Sequence, residues 1–273
     1  MDLLHLKDIA VQAARDAGAV IQQYLSQDIP VEEKQAGSSP ASQVVTEVDR
    51  ACEAVILSHL RPTCQTFDLA LLSEETEDDG SRFARDFFWC IDPMDGTLPF
   101  IRKQPGFSVA IALVSQDGTP LLGVVFDPST DTLYHAVKGY GAFRNHRSWI
   151  VERVNDYLTY VTDKPLRDTP QAAKIEALLQ AHAAELGVSQ IKELNGGGSV
   201  LNAIRVLEQG PACMLKLPKA EPGGGSLWDF AATACIFEEM GLPATHFTGE
   251  KLDLNRKEST FMNHKGIFYA NFK

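Results

Sequence analysis

Apolar positions near the start of the chain recur at helical spacing. Leu6, Ile9, Ala10, Ala13, Ala17, Val20, Ile21 and Tyr24 share one face, which predicts an amphipathic helix from Leu3 to Leu25. The stretch Asp28 to Ser42 is polar, contains Gly37, Ser38, Ser39 and Pro40, and predicts a mobile loop. Thr46 followed by Asp49 has the spacing of a capping box. The helix it opens carries Val48, Cys52, Val55 and Ile56 and is expected to stop before Pro62. Strand-like runs follow at Phe107 to Ser115, Leu121 to Phe126 and Thr132 to Lys138, separated by Asp117-Gly118 and Asp127-Pro128. Their close spacing predicts an antiparallel meander.

From about residue 148 the pattern alternates. Strands are predicted at Leu158 to Thr162, Gln190 to Leu194 and Ala212 to Lys216, with helices around Ala172 to Leu186, Ser199 to Leu207 and Leu227 to Met240. The expectation is an α/β (α+β) chain in two halves, an N-terminal α+β half over 1–147 and a C-terminal α/β half over 148–273. No repeat, low-complexity tract or flexible linker separates them, so the halves should pack closely.

Composition narrows the function classes. With 273 residues, 44% of them hydrophobic, the chain can bury a sizeable core. Its apolar runs, such as Val109 to Val114, fall far short of the roughly 20 residues of a membrane helix, and the N-terminus lacks a signal-peptide layout. A cytoplasmic protein without membrane partners is expected. The five cysteines lack CxxC spacing and mostly lie in apolar segments, which argues against disulfides and structural zinc. A net charge of −11 argues against a nucleic-acid polymer as ligand, so a phosphate-handling protein of this composition must import cations.

Several chemistries have no apparatus here. There is no GxxxxGK[ST] loop, no GxGxxG, no cysteine followed six residues later by arginine, no GxSxG elbow and no HExxH pair. The densest positive signal is Trp89-Cys90-Ile91-Asp92-Pro93-Met94-Asp95-Gly96-Thr97, an apolar strand running into a turn with two carboxylates flanking a proline. Pro93 disfavours helix at the residue before it, so Asp92 is held extended at the strand end and both carboxylates can converge on one point. Gly96 and Thr97 follow with backbone N–H groups suited to a phosphate oxygen, if a helix starts there. Two further acidic elements are Ser73-Glu74-Glu75, after the apolar Leu71-Leu72, and Trp228-Asp229, opening an alanine-rich helix. Acids converging at strand ends suit a hard cation such as magnesium, whereas each element alone reads as an ordinary turn, a solvated acidic pair or a helix-dipole aspartate.

Their conjunction in this order resembles the inositol monophosphatase superfamily, lithium-sensitive phosphatases of inositol phosphates, fructose bisphosphate and adenosine 3′,5′-bisphosphate. The likeness also takes in Val45 to Asp49, Gly123 to Pro128, Gly139 to Phe143, Gly197 to Asn202 and Trp228 to Ala232, nearly the whole chain. It implies a layered αβαβα sandwich, an antiparallel sheet half followed by a mixed-sheet half, with the site in the cleft between them. It implies that Glu74, Asp92, Asp95, the Met94 carbonyl and Asp229 ligate two or three magnesium ions, the principal pair roughly 4 Å apart. Thr97, with Asp49 behind it, would orient the attacking water, and Gly96, Thr97 and Ser199 would receive the substrate phosphate in an in-line displacement.

The pattern departs from the family in places. Leu98-Pro99 matches neither the Lys-Glu of bisphosphate nucleotidases nor the Thr-Asn of inositol monophosphatases, and Glu239-Met240-Gly241-Leu242 replaces the usual glutamate-alanine-glycine-glycine. Phe107 to Val114 and Glu258 to Asn263 look closer to the nucleotidases, whereas Asn202 looks closer to the inositol enzymes. The expected partner is a small phosphorylated metabolite, a 3′-phosphoadenosine-type nucleotide ahead of inositol phosphate. A homodimer is an expectation by analogy. Lys34 lies in a loop the family uses near its metals, and Lys216 and Lys219 lie in a Gly/Pro-rich segment before Trp228 that reads as a flexible surface connection, the alternative being that it brings lysines near a second phosphate or a sugar.

Overall fold

A computed structural model of the chain describes residues 1–25, 31–33, 44–152 and 154–272, with backbone alone for 31–33 and 44–46. Lys34 and most of the expected loop Asp28 to Ser42 lie outside the described residues. The part of that loop within them, β1 (Val31–Glu33), is a strand paired antiparallel with β2 (Val44–Thr46).

Helix α1 spans Leu3–Tyr24, and Asp2 caps it by accepting from the N–H groups of Leu4 and His5. Helix α2 spans Glu47–Phe67 and runs through Pro62, correcting the expected stop. The N–H that proline lacks would have met the carbonyl of Ser58, an exposed residue whose carbonyl can turn to water. Packing holds the turn beyond: Leu60 is fully buried, and buried Thr63 donates to the Leu60 carbonyl while accepting from Trp89 Nε1 at 2.9 Å.

Then come β3 (Ala70–Ser73), β4 (Phe87–Asp95), the one-turn α3 (Thr97–Ile101), β5 (Ser108–Ser115), β6 (Pro120–Asp127), β7 (Thr132–Val137), β8 (Gly141–Arg144) and β9 (Arg147–Ser148). They form a seven-stranded sheet in chain order. The expected meander is there, but β3 runs parallel to β4, which makes this sheet mixed as well. The rest comprises β10 (Leu158–Thr162), α4 (Ala172–Glu185), β11 (Ile191–Asn195), α5 (Ser199–Glu208), β12 (Ala212–Lys216), α6 (Leu227–Glu239), β13 (Ala244–Thr245) and β14 (Ile267–Ala270). Its five-stranded sheet has the order β11-β10-β12-β14-β13, parallel among β11, β10 and β12 and antiparallel beyond.

Strand pleating generates the layers. Trp89, Ile91, Ile111, Leu113 and Val124 point to one face of the large sheet, where they pack against Leu6, Ala10, Ala17 and Ile21 of α1 and Cys52, Ile56 and Leu60 of α2. Alternate residues Phe88, Cys90, Ala110, Ala112 and Val125 point the other way, onto α5 and α6, whose far side meets Met214 and Tyr269 of the second sheet. Helix α4 covers that sheet's outer face through Ile175 and Leu179. The order helix, sheet, helix, sheet, helix is the αβαβα sandwich, and its middle core draws on both sides of residue 147. At Gly123 the approach of α6 is so close that a Cβ would stand 2.2 Å from the Ala232 carbonyl oxygen.

Candidate metal centre

Asp92 and Asp95 are three residues apart, a spacing that would put them on opposite faces of a regular strand. Strand β4 does not end before them. It continues through Asp95, but its register against β5 shifts: Asp92 pairs with Ala110 and Asp95 with Ser108, so one extra residue is accommodated on β4. The bulge returns both carboxylates to one side, and Pro93 sits where the ladder is interrupted and no N–H is required. Gly96 then turns the chain at φ +86 into α3, and a Cβ there would lie 2.3 Å from the Gly106 carbonyl oxygen.

Asp229 arrives from another layer, in the first turn of α6. It shares a capping box with Ser226, whose N–H donates to Asp229 Oδ2 at 2.6 Å. It is therefore both a helix cap and a site carboxylate. One oxygen each of Asp92, Asp95 and Asp229 lies within 4.8 Å of the others. Glu74 follows β3 beside β4, anchored by its N–H to the Ile91 carbonyl at 3.2 Å. It is not one of those three, but its charge is the strongest felt by Asp92, ahead of Asp95, Asp229 and Asp49. Asp49 is buried in the first turn of α2.

The carboxylates oppose one another. Burial first, then the neighbouring acids, push the Asp92 carboxyl well above its usual range. Burial and then Asp229 raise Asp95 to about 7, against the N–H groups of Val200 (2.8 Å) and Ser199 (3.2 Å) and the charge of Lys216, which favour its carboxylate. Asp229 is raised by burial and held back by the Ser226 N–H, Lys216 and Ser199. Asp92 Oδ1 is buried and has no partner among the described residues. Several hard oxygens this close together, and a buried unpartnered oxygen on Asp92, fit a divalent cation such as magnesium: Lys216 favours the carboxylates of Asp95 and Asp229, whereas the influences on Asp92 all oppose its charge.

The other expected residues fall nearby. The Thr97 hydroxyl donates to the Met94 carbonyl at 3.4 Å. Ser199 opens α5, and its hydroxyl accepts from Lys216 Nζ at 3.0 Å. A Cβ on Gly198 would stand 2.2 Å from Asp95 Oδ2, so that glycine admits the carboxylate to the helix start.

Lys216 is the residue the sequence reading did not select as part of the site. It ends β12, is mostly buried, and bridges Ser199 to Asp163 (3.5 Å) beside the carboxylate cluster. Its position at the carboxyl end of a central strand was the available signal, since ligands collect outside strand ends in such sheets. Asn202, expected to speak for an inositol substrate, spends its side chain locally: Nδ2 donates to the Gly197 carbonyl and Oδ1 accepts from Arg205.

A layered α/β sandwich with a cluster of buried carboxylates where its layers meet defines the class. The model of the inositol monophosphatase family matches residues 2–271, and the chain belongs to that family. It is similar to inositol monophosphatase 2 of Solanum lycopersicum, 28% identical with 94% of this chain and 92% of that protein covered. It is also similar to Nus factor SuhB of Escherichia coli K12, at 31% with 89% and 85% covered. Among solved structures it is similar to CysQ from Bacteroides thetaiotaomicron, a bacterial member of the same family, with TM-score 0.76, 25% identity and 98% of each chain covered. Among the described residues no helix is long and apolar enough to cross a membrane.

Proposed function

We propose that the chain is a magnesium-dependent, lithium-sensitive hydrolase of a small phosphate monoester, the 3′-phosphate of adenosine 3′,5′-bisphosphate ahead of an inositol phosphate. The observation that carries the reading is the convergence of Asp92, Asp95 and Asp229 with a buried, unpartnered Asp92 oxygen. With Glu74 and the Met94 carbonyl, these residues would hold magnesium. When bound there, magnesium supplies positive charge against the phosphoryl oxygens and acidifies water.

The chain's own groups do the rest. Thr97, whose hydroxyl donates to the Met94 carbonyl, would orient water, with Asp49 as a buried carboxylate whose charge also reaches Asp92. The N–H groups of Ser199 and Val200 hold the Asp95 carboxylate beside Asp92 and Asp229. Lys216 adds a cation beside the cluster, which supports an anionic substrate and favours a doubly phosphorylated ester over a singly phosphorylated one. Inositol phosphate is the second reading, favoured by the name of the tomato relative, while the local commitment of Asn202 removes one residue that would support it.

Phosphate release from adenosine 3′,5′-bisphosphate and from myo-inositol 1-phosphate, with and without magnesium and lithium, tests this. Magnesium-dependent, lithium-inhibited release faster on the nucleotide is expected. Release from neither would overturn the assignment.

A further inference from the structure

Strands β10 and β12 run parallel, with Thr159 opposite Ala212 and Tyr160 opposite Cys213. Carried three residues further, that register sets Asp163 level with Lys216, at the carboxyl ends of two neighbouring strands. The two side chains meet there, Lys216 Nζ standing 3.5 Å from Asp163 Oδ2. Lys216 is mostly buried, whereas Asp163 is half exposed in the segment that follows β10. Thr162 Oγ1 reaches both Asp163 Oδ1, at 3.5 Å, and the Lys164 carbonyl, at 3.0 Å, so the turn that carries the carboxylate is tied to the strand end.

The Lys216 ammonium has a choice of anions. It donates to Ser199 Oγ at 3.0 Å, and Ser199 touches two of the site's carboxylates: its N–H donates to Asp95 Oδ1 at 3.2 Å, and its hydroxyl hydrogen-bonds to Asp229. The ammonium is thus one hydroxyl away from the cluster, on a flexible four-carbon stem. Burial works against its charge, and Asp163, then Asp229 and Asp95, work for it. Two of these three anions belong to the cluster that a divalent cation would use. Asp163 is the one outside it, and the one with which the ammonium pairs. An ammonium that swung from Asp163 onto Asp95 and Asp229 would neutralise oxygens that a hard cation needs as ligands, and the cation would have to displace it.

We propose that Asp163 is a positioning residue: it holds the Lys216 ammonium beside the carboxylate cluster and keeps it off the oxygens of Asp95 and Asp229 that magnesium would take. The proposal rests on the reading of the carboxylates as a magnesium site and on no particular substrate. Direct attraction of the cation by Asp163 is a different effect, since it needs no lysine, and removing Lys216 separates the two.

Calorimetric titration of the full chain with magnesium tests it. Asp163→Asn should raise the magnesium Kd by about fivefold, the scale of one partly exposed charge pair, and Asp163→Glu should keep the wild-type affinity. Lys216→Met should bind magnesium at least as tightly as the wild type, and adding Asp163→Asn to it should change nothing. An unchanged Kd in Asp163→Asn, or a weakening that persists in the Lys216→Met background, would overturn the restraint. A second readout needs no metal. In chelator, the carboxyl carbon NMR resonances of Asp95 and Asp229 should move on Asp163→Asn, as the ammonium reaches them, and should not respond to it in the Lys216→Met background. If the wild type binds no magnesium but those resonances move as expected, the metal reading fails and the restraint stands. If they stay in place, the restraint falls whether or not magnesium binds.

Discussion

Asp92 is the side chain on which the most opposing forces meet. It is buried, surrounded by acids and has an oxygen with no donor, so its ionised form is costly until a cation arrives. Its folded pKa lies well above the unfolded value, so the metal-free protein loses stability as pH rises from about 4 through that range. Asp92→Asn should therefore raise Tm in chelator at neutral pH, abolish the magnesium-induced rise, and reduce phosphate release by about two orders of magnitude or more. A variant that melts lower in chelator would show that Asp92 contributes more as a hydrogen-bond acceptor than it costs as a charge. His135 has the opposite sign. It is buried on β7, stacked on Phe143 with ring centroids 5.0 Å apart, and neither nitrogen has a partner among the described residues. Burial, then Lys7 and His146, lower its pKa to about 4. Its contribution is complete above the unfolded value near 6.5 and is lost as pH falls toward 4. His135→Phe should gain on the wild type by about 2 kcal/mol at pH 5 relative to pH 7.5, read as the difference between denaturant curves. A constant difference across that range would mean that the ring is neutral throughout.

At the scale of elements, the site depends on two close approaches that glycine permits. Gly123 lets α6 settle onto β6, and α6 carries Asp229. Gly123→Ala would drive a methyl into the Ala232 carbonyl, costing about 1–3 kcal/mol and displacing the helix start. A lower Tm together with weaker magnesium binding is expected, and a loss of stability alone would separate the helix seat from the site. Gly198→Ala acts locally: its methyl would collide with the Asp95 carboxylate, so magnesium affinity and activity should fall while the chelator Tm changes little. The β4 bulge works the same way on the backbone, since without its extra residue Asp92 and Asp95 would face different layers.

For the whole molecule, the carboxylates belong to different layers: Asp92 and Asp95 to the large sheet, Asp229 to the helix layer between the sheets, and Asp49 to the helix layer on the far face. A cation held among them would bind the folded chain and not the unfolded one. Magnesium at about 100 times its Kd should stabilise the protein by about 2.7 kcal/mol, visible as a concentration-dependent rise in Tm. No rise at millimolar magnesium would mean that the carboxylates do not act together.

Much of this was legible in the chain because it is written in local periodicity and local chemistry. The helical face of α1, the meander from β5 to β7 and the alternation after residue 148 each follow from residues a few positions apart. The acidic motifs were legible for the same reason, since Asp92-Pro93-Met94-Asp95 and Trp228-Asp229 are short local runs, although β4 continues through the first of them rather than ending in a turn at Asp92. What the sequence could not determine was anything that depends on a neighbour far along the chain. Pro62 stays helical because Trp89 and the core hold the turn after it. The parallel β3 depends on a long-range strand pairing, Lys216 joins the site only because β12 ends beside α5, and Asn202 turns inward because Gly197 and Arg205 satisfy it. Local preferences of a few tenths to about one kcal/mol set the elements, whereas the burial of whole helical and sheet faces sets which elements meet, and that sum exists only in the folded chain.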